Sequence, residues 1–189
     1  MAEKKLDKYR VAILATDLFE EAELIETRKA LQEAGAQISV IAPKSGEIQA
    51  VQHDKKTQKV KVDLTLDQAN PNDFDAVLLP GGAMNADGLR IEKKAQEFVQ
   101  NLDGNGKPIA VICHGPWLLI SAGLVKGRHM TSYKTIPDDL KNAGAHWVDE
   151  PSVRDGNWVS SRQPSDIPQF NKAMIELFHE SRQKLHKAA

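Results

Sequence analysis

The chain has 189 residues, 41% hydrophobic and 27% charged, the profile of an ordinary soluble globular protein long enough to bury a core without staples. Its 25 Lys and Arg offset 26 Asp and Glu to a formal net charge of −1, which gives no basic surface for nucleic acid or for an anionic membrane. One cysteine excludes an internal disulfide, the charged N-terminus has no apolar signal segment, and the longest apolar runs are strand-length, so the expectation is a cytoplasmic protein with no membrane span.

In chain order, Arg10-Val11-Ala12-Ile13-Leu14-Ala15 reads as a first buried strand. Residues 20–34 read as a helix with Leu24, Ala30, Leu31 and Ala34 on its apolar stripe and Gly35 as its stop. Residues 37–42 read as a second strand closed by Pro43, and this β-α-β start implies a parallel sheet with right-handed crossovers. The polar stretch 44–70, with alternating pieces at 49–51 and 60–66, reads as a β-ribbon excursion, and its charged run 54–59 as a solvated ribbon. Ala76-Val77-Leu78-Leu79 is a buried strand ending at Pro80-Gly81-Gly82, followed by a helix over about 93–102 and a turn at 104–106. The next strand runs into Cys113 and feeds a helix up to Ala122. Residues 132–143 hold a loop and a short helix. Short strands follow at 147–148, 152–154 and 158–160, the last two split by Asp155-Gly156. A final helix from 167 to about 186 places Phe170, Met174, Leu177, Phe178 and Leu185 on one side. The organisation expected is a single domain over 1–189, with flexible ends at 1–8 and 187–189.

Chemistry concentrates at Cys113. An apolar run, Ile109-Ala110-Val111-Ile112, stops at Cys113-His114-Gly115, the way a strand-to-helix turn exposes a nucleophile at a sheet edge. The reactive form of cysteine is the thiolate, and a helix entrance and the adjacent His114 would both lower the thiol pKa. The competing reading is a buried structural cysteine. Pro80-Gly81-Gly82 ends a neighbouring strand, where glycine backbone can approach a substrate and present N–H groups to an oxyanion, or simply make a tight turn. No dinucleotide or phosphate-loop pattern follows, which excludes nucleotide binding of those types. Glu20, just past the first strand, is either a helix N-terminal charge or an acid facing the same cleft, placed to hydrogen-bond the sulfur. The other histidines (His53, His129, His146, His179 and His186) have no metal-ligand spacing, and Trp117, Trp147 and Trp158 read as core or interface aromatics.

Phe19-Glu20-Glu21, Leu79-Pro80-Gly81-Gly82 and Ala110-Val111-Ile112-Cys113-His114-Gly115-Pro116 together resemble the DJ-1/PfpI superfamily. Gly127-Arg128, Thr131-Ser132-Tyr133 and Gly156-Asn157-Trp158-Val159-Ser160-Ser161-Arg162 look like its PfpI branch of intracellular proteases and general stress proteins. The likeness spans residues 9–178. It implies a flavodoxin-like three-layer α/β sandwich with a mostly parallel sheet and a nucleophile elbow. It makes Cys113 the nucleophile, Glu20 the acid on its sulfur, His114 the acid/base, and the Gly82 and His114 N–H groups an oxyanion hole. It implies a homo-oligomer, a dimer or larger, in which a neighbouring subunit's carboxylate completes a Cys-His-acid triad. Asp87 is the best match for that carboxylate, although it lies one residue further from Gly82 than the family pattern, which would fall on Ala86. Tyr133 lines the pocket or the subunit contact, or is an ordinary surface aromatic.

The leading functional expectation is therefore a cofactor- and metal-free, cysteine-dependent enzyme acting on reactive carbonyls, of glyoxalase III or protein deglycase type. Its substrates would be small dicarbonyls or glycated proteins. The alternatives are a PfpI-type cysteine peptidase and a non-enzymatic redox sensor or stress chaperone.

Overall fold

The architecture follows from how the strands alternate. The structure is a computed structural model that describes residues 4–188, with side chains described through Lys184. The expected placement of Leu185 and the expected flexible end at 187–189 lie outside the described side chains. Strand β1 (Arg10–Leu14) is followed by a two-residue strand β2 (Phe19–Glu20), helix α1 (Glu21–Glu33) and β3 (Gln37–Ala42). A hairpin of β4 (Glu47–Gln52) and β5 (Lys55–Lys61) precedes β6 (Leu64–Thr65) and β7 (Ala76–Leu79). Helices α2 (Ala83–Arg90) and α3 (Lys93–Gly104) lead to β8 (Ile109–Ile112), which carries the cysteine into α4 (Pro116–Ser121). Then come β9 (His129–Met130), α5 (Pro137–Asn142), β10 (His146–Trp147), β11 (Ser152–Asp155), β12 (Trp158–Ser161) and the last helix α6 (Ile167–Ala188).

Seven strands form the main sheet in the order β11-β12-β8-β7-β1-β3-β6, parallel except for the β11–β12 edge pair. Val11 and Ile13 of β1, Ala76 and Leu78 of β7 and Ala110 and Ile112 of β8 face one layer, where Leu24 and Leu31 of α1 meet Phe170, Met174 and Phe178 of α6. Ala12, Leu14, Val77, Leu79, Ile109 and Val111 face the other, against Phe98, Val99 and Leu102 of α3 and Leu118 and Leu119 of α4. Strands buried on both faces read as continuous apolar runs, which is why they stand out in the sequence. The result is the expected flavodoxin-like three-layer sandwich.

Three local features differ from expectation. The 60–66 segment is split: β5 stays in the ribbon, while β6 joins the main sheet beside β3 through Ile41↔Leu64. Helix α2 has no simple sequence signal, because it holds Asn85 and Gly88 and its N-cap makes no side-chain hydrogen bond. Residues 4–8, expected as part of a flexible end, are docked: Leu6 is fully buried and its N–H donates to the Ala34 carbonyl. No helix among the described residues is long and apolar enough to cross a membrane.

The site location is a topological consequence. From β1 the chain moves to β3 on one side and later returns to β7 on the other, so the sheet order reverses beside β1. Loops leaving the carboxyl ends of adjacent strands diverge at such a point and leave a crevice. The loops after β1, β7 and β8 meet there.

Candidate active site

Cys113 caps β8 with φ +63, a left-handed conformation that costs an L-residue about 1–2 kcal/mol. The elbow is pinned on both sides: the Cys113 N–H donates to Ser161 O at 3.1 Å and its carbonyl accepts from Tyr133 N at 2.9 Å. Gly115 behind it has no room for a side chain, since a Cβ would come within 2.8 Å of Leu79 O. The thiol is 6% exposed, on the floor of a pocket of about 600 Å³. Among the described residues, four non-glycine residues have positive φ, and three of them, Leu18, His53 and Cys113, line this pocket.

The acid against the sulfur is Glu23, not the expected Glu20. Glu23 is fully buried on the α1 face that also carries Leu24, Thr27 and Leu31. Its Oε2 accepts from Gly81 N at 2.8 Å, Oε1 has no hydrogen-bond partner, and the carboxyl interacts with the Cys113 thiol. Glu20 is held elsewhere because Phe19 and Glu20 pair with Ala50 and Val51 of β4. Its carboxylate turns to the hairpin and accepts from His53 N at 3.1 Å. Glu20 still lines the pocket, but as part of its wall.

Burial and the neighbouring Glu23 charge push the Cys113 thiol up, while the Gly82 and His114 N–H groups pull it back. The expected lowering by the helix entrance is therefore reversed, because α4 is a single short helix of 6 residues and the sulfur is desolvated. Burial also pushes Glu23 up to about 8, so near neutral pH its carboxyl holds a proton. A protonated Glu23 no longer repels a thiolate and donates to it instead.

His114 Nδ1 lies 3.1 Å from Cys113 Sγ, within reach for proton transfer. Burial holds the imidazole below its ordinary pKa, so it is neutral at neutral pH. Its ring is gripped between Tyr133, with centroids 4.9 Å apart, and Trp117 at 5.2 Å, and its Nε2 lies 3.2 Å from Thr135 Oγ1. Tyr133 thus lines the pocket of this same chain. The Gly82 and His114 N–H groups both lie against the sulfur. Asp87 is an exposed residue of α2 and is not among the residues lining the pocket.

Asn85 fixes the Pro80-Gly81-Gly82 turn and went unrecognised in the sequence. It is fully buried; its amide donates to Pro80 O at 3.1 Å and Gly81 O at 2.9 Å, and its oxygen accepts from Thr16 N at 2.7 Å. Asn85→Leu removes all three bonds, leaving Thr16 N and Pro80 O unpaired and Gly81 O with only the Glu20 N–H, and is expected to destabilise the protein by about 3 kcal/mol, measured by urea unfolding. A loss below about 0.5 kcal/mol would remove this role.

Fold and site together define a flavodoxin-like domain with a cysteine at a strand-end elbow beside a buried carboxyl and an imidazole. The chain belongs to the DJ-1/PfpI family, whose profile matches residues 9–177. It is 45% identical over 168 residues to a protein named deglycase from Pyrococcus abyssi, covering 89% of this chain and 98% of that one. It is 39% identical over 168 residues to the putative cysteine protease YraA of Bacillus subtilis, with 89% and 97% covered. Among solved structures it resembles DJ-1beta of Drosophila melanogaster with a TM-score of 0.82 at 27% identity, covering 96% of this chain and 97% of that one.

Proposed function

We propose that the protein is a cysteine-dependent enzyme acting on reactive carbonyls and on their early adducts with proteins. The observation that carries this reading is the buried Cys113–Glu23 pair with His114 Nδ1 at 3.1 Å, which supplies a nucleophile and two proton carriers without calling on a cofactor. In the reading for methylglyoxal, the Cys113 thiolate adds to the aldehyde carbon and the oxyanion is protonated, giving a hemithioacetal. His114 or Glu23 moves the C1 proton to C2 through an enediol, which turns the hemithioacetal into a lactoyl thioester. Water hydrolyses the thioester to lactate and restores the thiol. The names of relatives called deglycase support extension of the same site to glycated side chains.

A peptidase would need a groove open to an extended chain. The thiol instead lies 6% exposed in a pocket of about 600 Å³, a size suited to a small molecule or one modified side chain. The test is to incubate the wild type with methylglyoxal, and separately with a methylglyoxal-treated arginine peptide, and to measure lactate against Cys113→Ala. Lactate from the wild type alone is expected; equal amounts from both proteins would overturn the reading. The chain supplies Cys113, His114 and Glu23 itself, so any contribution of Asp87 requires a second copy. Sedimentation at the assay concentration tests that contribution: an active strict monomer removes Asp87 from the site.

A further inference from the structure

We propose that Thr135 is the positioning residue of His114: its hydroxyl holds Nε2 and aims Nδ1 at the Cys113 sulfur. The proposal rests on His114 as the proton carrier of the reading above. Thr135 is an exposed residue just ahead of α5, 21 positions from His114 in sequence, and its Oγ1 lies 3.2 Å from Nε2. Nδ1, on the other side of the ring, lies 3.1 Å from Sγ. The two contacts bracket the imidazole and fix its rotation, while Tyr133 and Trp117 fix its plane. Trp117 is in turn tied down, with Nε1 donating to Asp139 Oδ2 at 2.8 Å.

Proton accounting gives the hydroxyl its task. To accept the thiol proton, Nδ1 must present a lone pair, so the single proton of the neutral ring must sit on Nε2. After transfer the ring is an imidazolium with protons on both nitrogens. In both states Nε2 carries a proton and needs an acceptor, and Thr135 Oγ1 is the acceptor within reach. Without it, the opposite tautomer presents N–H to the thiol and cannot take its proton. A hydroxyl, unlike a carboxylate, adds no charge, so the neutral ring remains the resting form. The titratable and charged groups around the ring are Cys113 beside it, Tyr133 against one face, and Arg90 and Asp139 behind Trp117; Glu20, Glu23, His53, Asp54 and Lys56 line the same pocket.

The experiment compares Thr135→Val, which keeps the shape and removes the hydroxyl, with Thr135→Ser, which restores it. Thr135→Val is expected to lower kcat for lactate formation about tenfold with KM unchanged, and Thr135→Ser to recover to within about twofold of wild type. Two readouts do not depend on turnover. The nitrogen-15 spectrum of His114, assigned with His114→Gln, is expected to show the Nε2–H tautomer in wild type and a mixture in Thr135→Val. The pH profile of Cys113 alkylation by iodoacetamide is expected to move in Thr135→Val and to return in Thr135→Ser. An unchanged His114 spectrum and alkylation profile in Thr135→Val overturns the proposal, as does a serine variant no better than the valine one. If the wild type makes no lactate, the carbonyl reading fails by itself, and the spectrum and alkylation rates still decide the role of Thr135.

Discussion

Gly81→Ala is expected to lower stability by about 3 kcal/mol and to abolish turnover, because there is no space for one methyl group where the site converges. A Cβ at position 81 would stand 2.5 Å from Glu23 Oε2, 2.6 Å from Cys113 Cβ and 3.0 Å from His114 N. None of these atoms is the loose end of a flexible side chain. Glu23 is fully buried, the cysteine sits on a pinned turn, and the third atom is backbone. Relief must therefore come from moving the elbow or the carboxyl, and either breaks the Gly81 N–H to Oε2 bond and the sulfur–carboxyl pairing. The backbone of Gly81 is not in the left-handed region, so the effect is one of room alone. Gly104→Ala is the matched control. It ends α3 with nothing within 4 Å of its added Cβ, and is expected to gain about 0.5–1 kcal/mol. Urea unfolding and the lactate assay read both variants. Wild-type stability in Gly81→Ala would mean that the three parts of the site do not meet as closely as described.

Glu23→Gln is expected to flatten the pH dependence of stability between pH 5 and 8. The folded carboxyl titrates near 8, while an unfolded glutamate titrates at about 4.3. Between those values the native chain holds a proton that the unfolded chain has released. Its contribution is complete below the unfolded pKa and is lost as pH rises through the folded one. Wild-type stability should therefore fall with pH over this window by up to about 1.4 kcal/mol per unit. Glutamine keeps an oxygen for the Gly81 N–H and an N–H for the sulfur, but has no proton to lose, so its curve lacks that fall. Urea midpoints at pH 5, 6.5 and 8 give the comparison. Parallel curves for the two proteins would show that Glu23 is ionised in the native state across the range.

The sequence exposes the sheet because its central strands are apolar on both faces and stop at Pro80, at Cys113 or, for β3, at Pro43. The cysteine elbow is legible for the same reason. The choice between Glu20 and Glu23 is not. Both lie at the strand-to-helix boundary, and what separates them is the pairing of Phe19 and Glu20 with β4, some 30 positions away. One local signal did exist. Glu23 shares its helix face with Leu24, Thr27 and Leu31, and an acid inside a buried stripe asks for a partner. Thr135 and Asn85 carry no such signal, since each acts only through atoms brought together by the fold. Helix α2 was hidden by its glycine and asparagine, yet that asparagine is what ties it to the turn it follows.

The left-handed corners at Leu18, His53 and Cys113 set a limit on how this protein can be improved. Replacing Leu18 or His53 with glycine relieves the backbone and is the sort of change that selection for heat resistance alone would favour. Each also strips a side chain from the pocket wall. A variant chosen only for its melting temperature would thus drift toward a wider, plainer cavity, and robustness would be gained at the expense of discrimination between substrates.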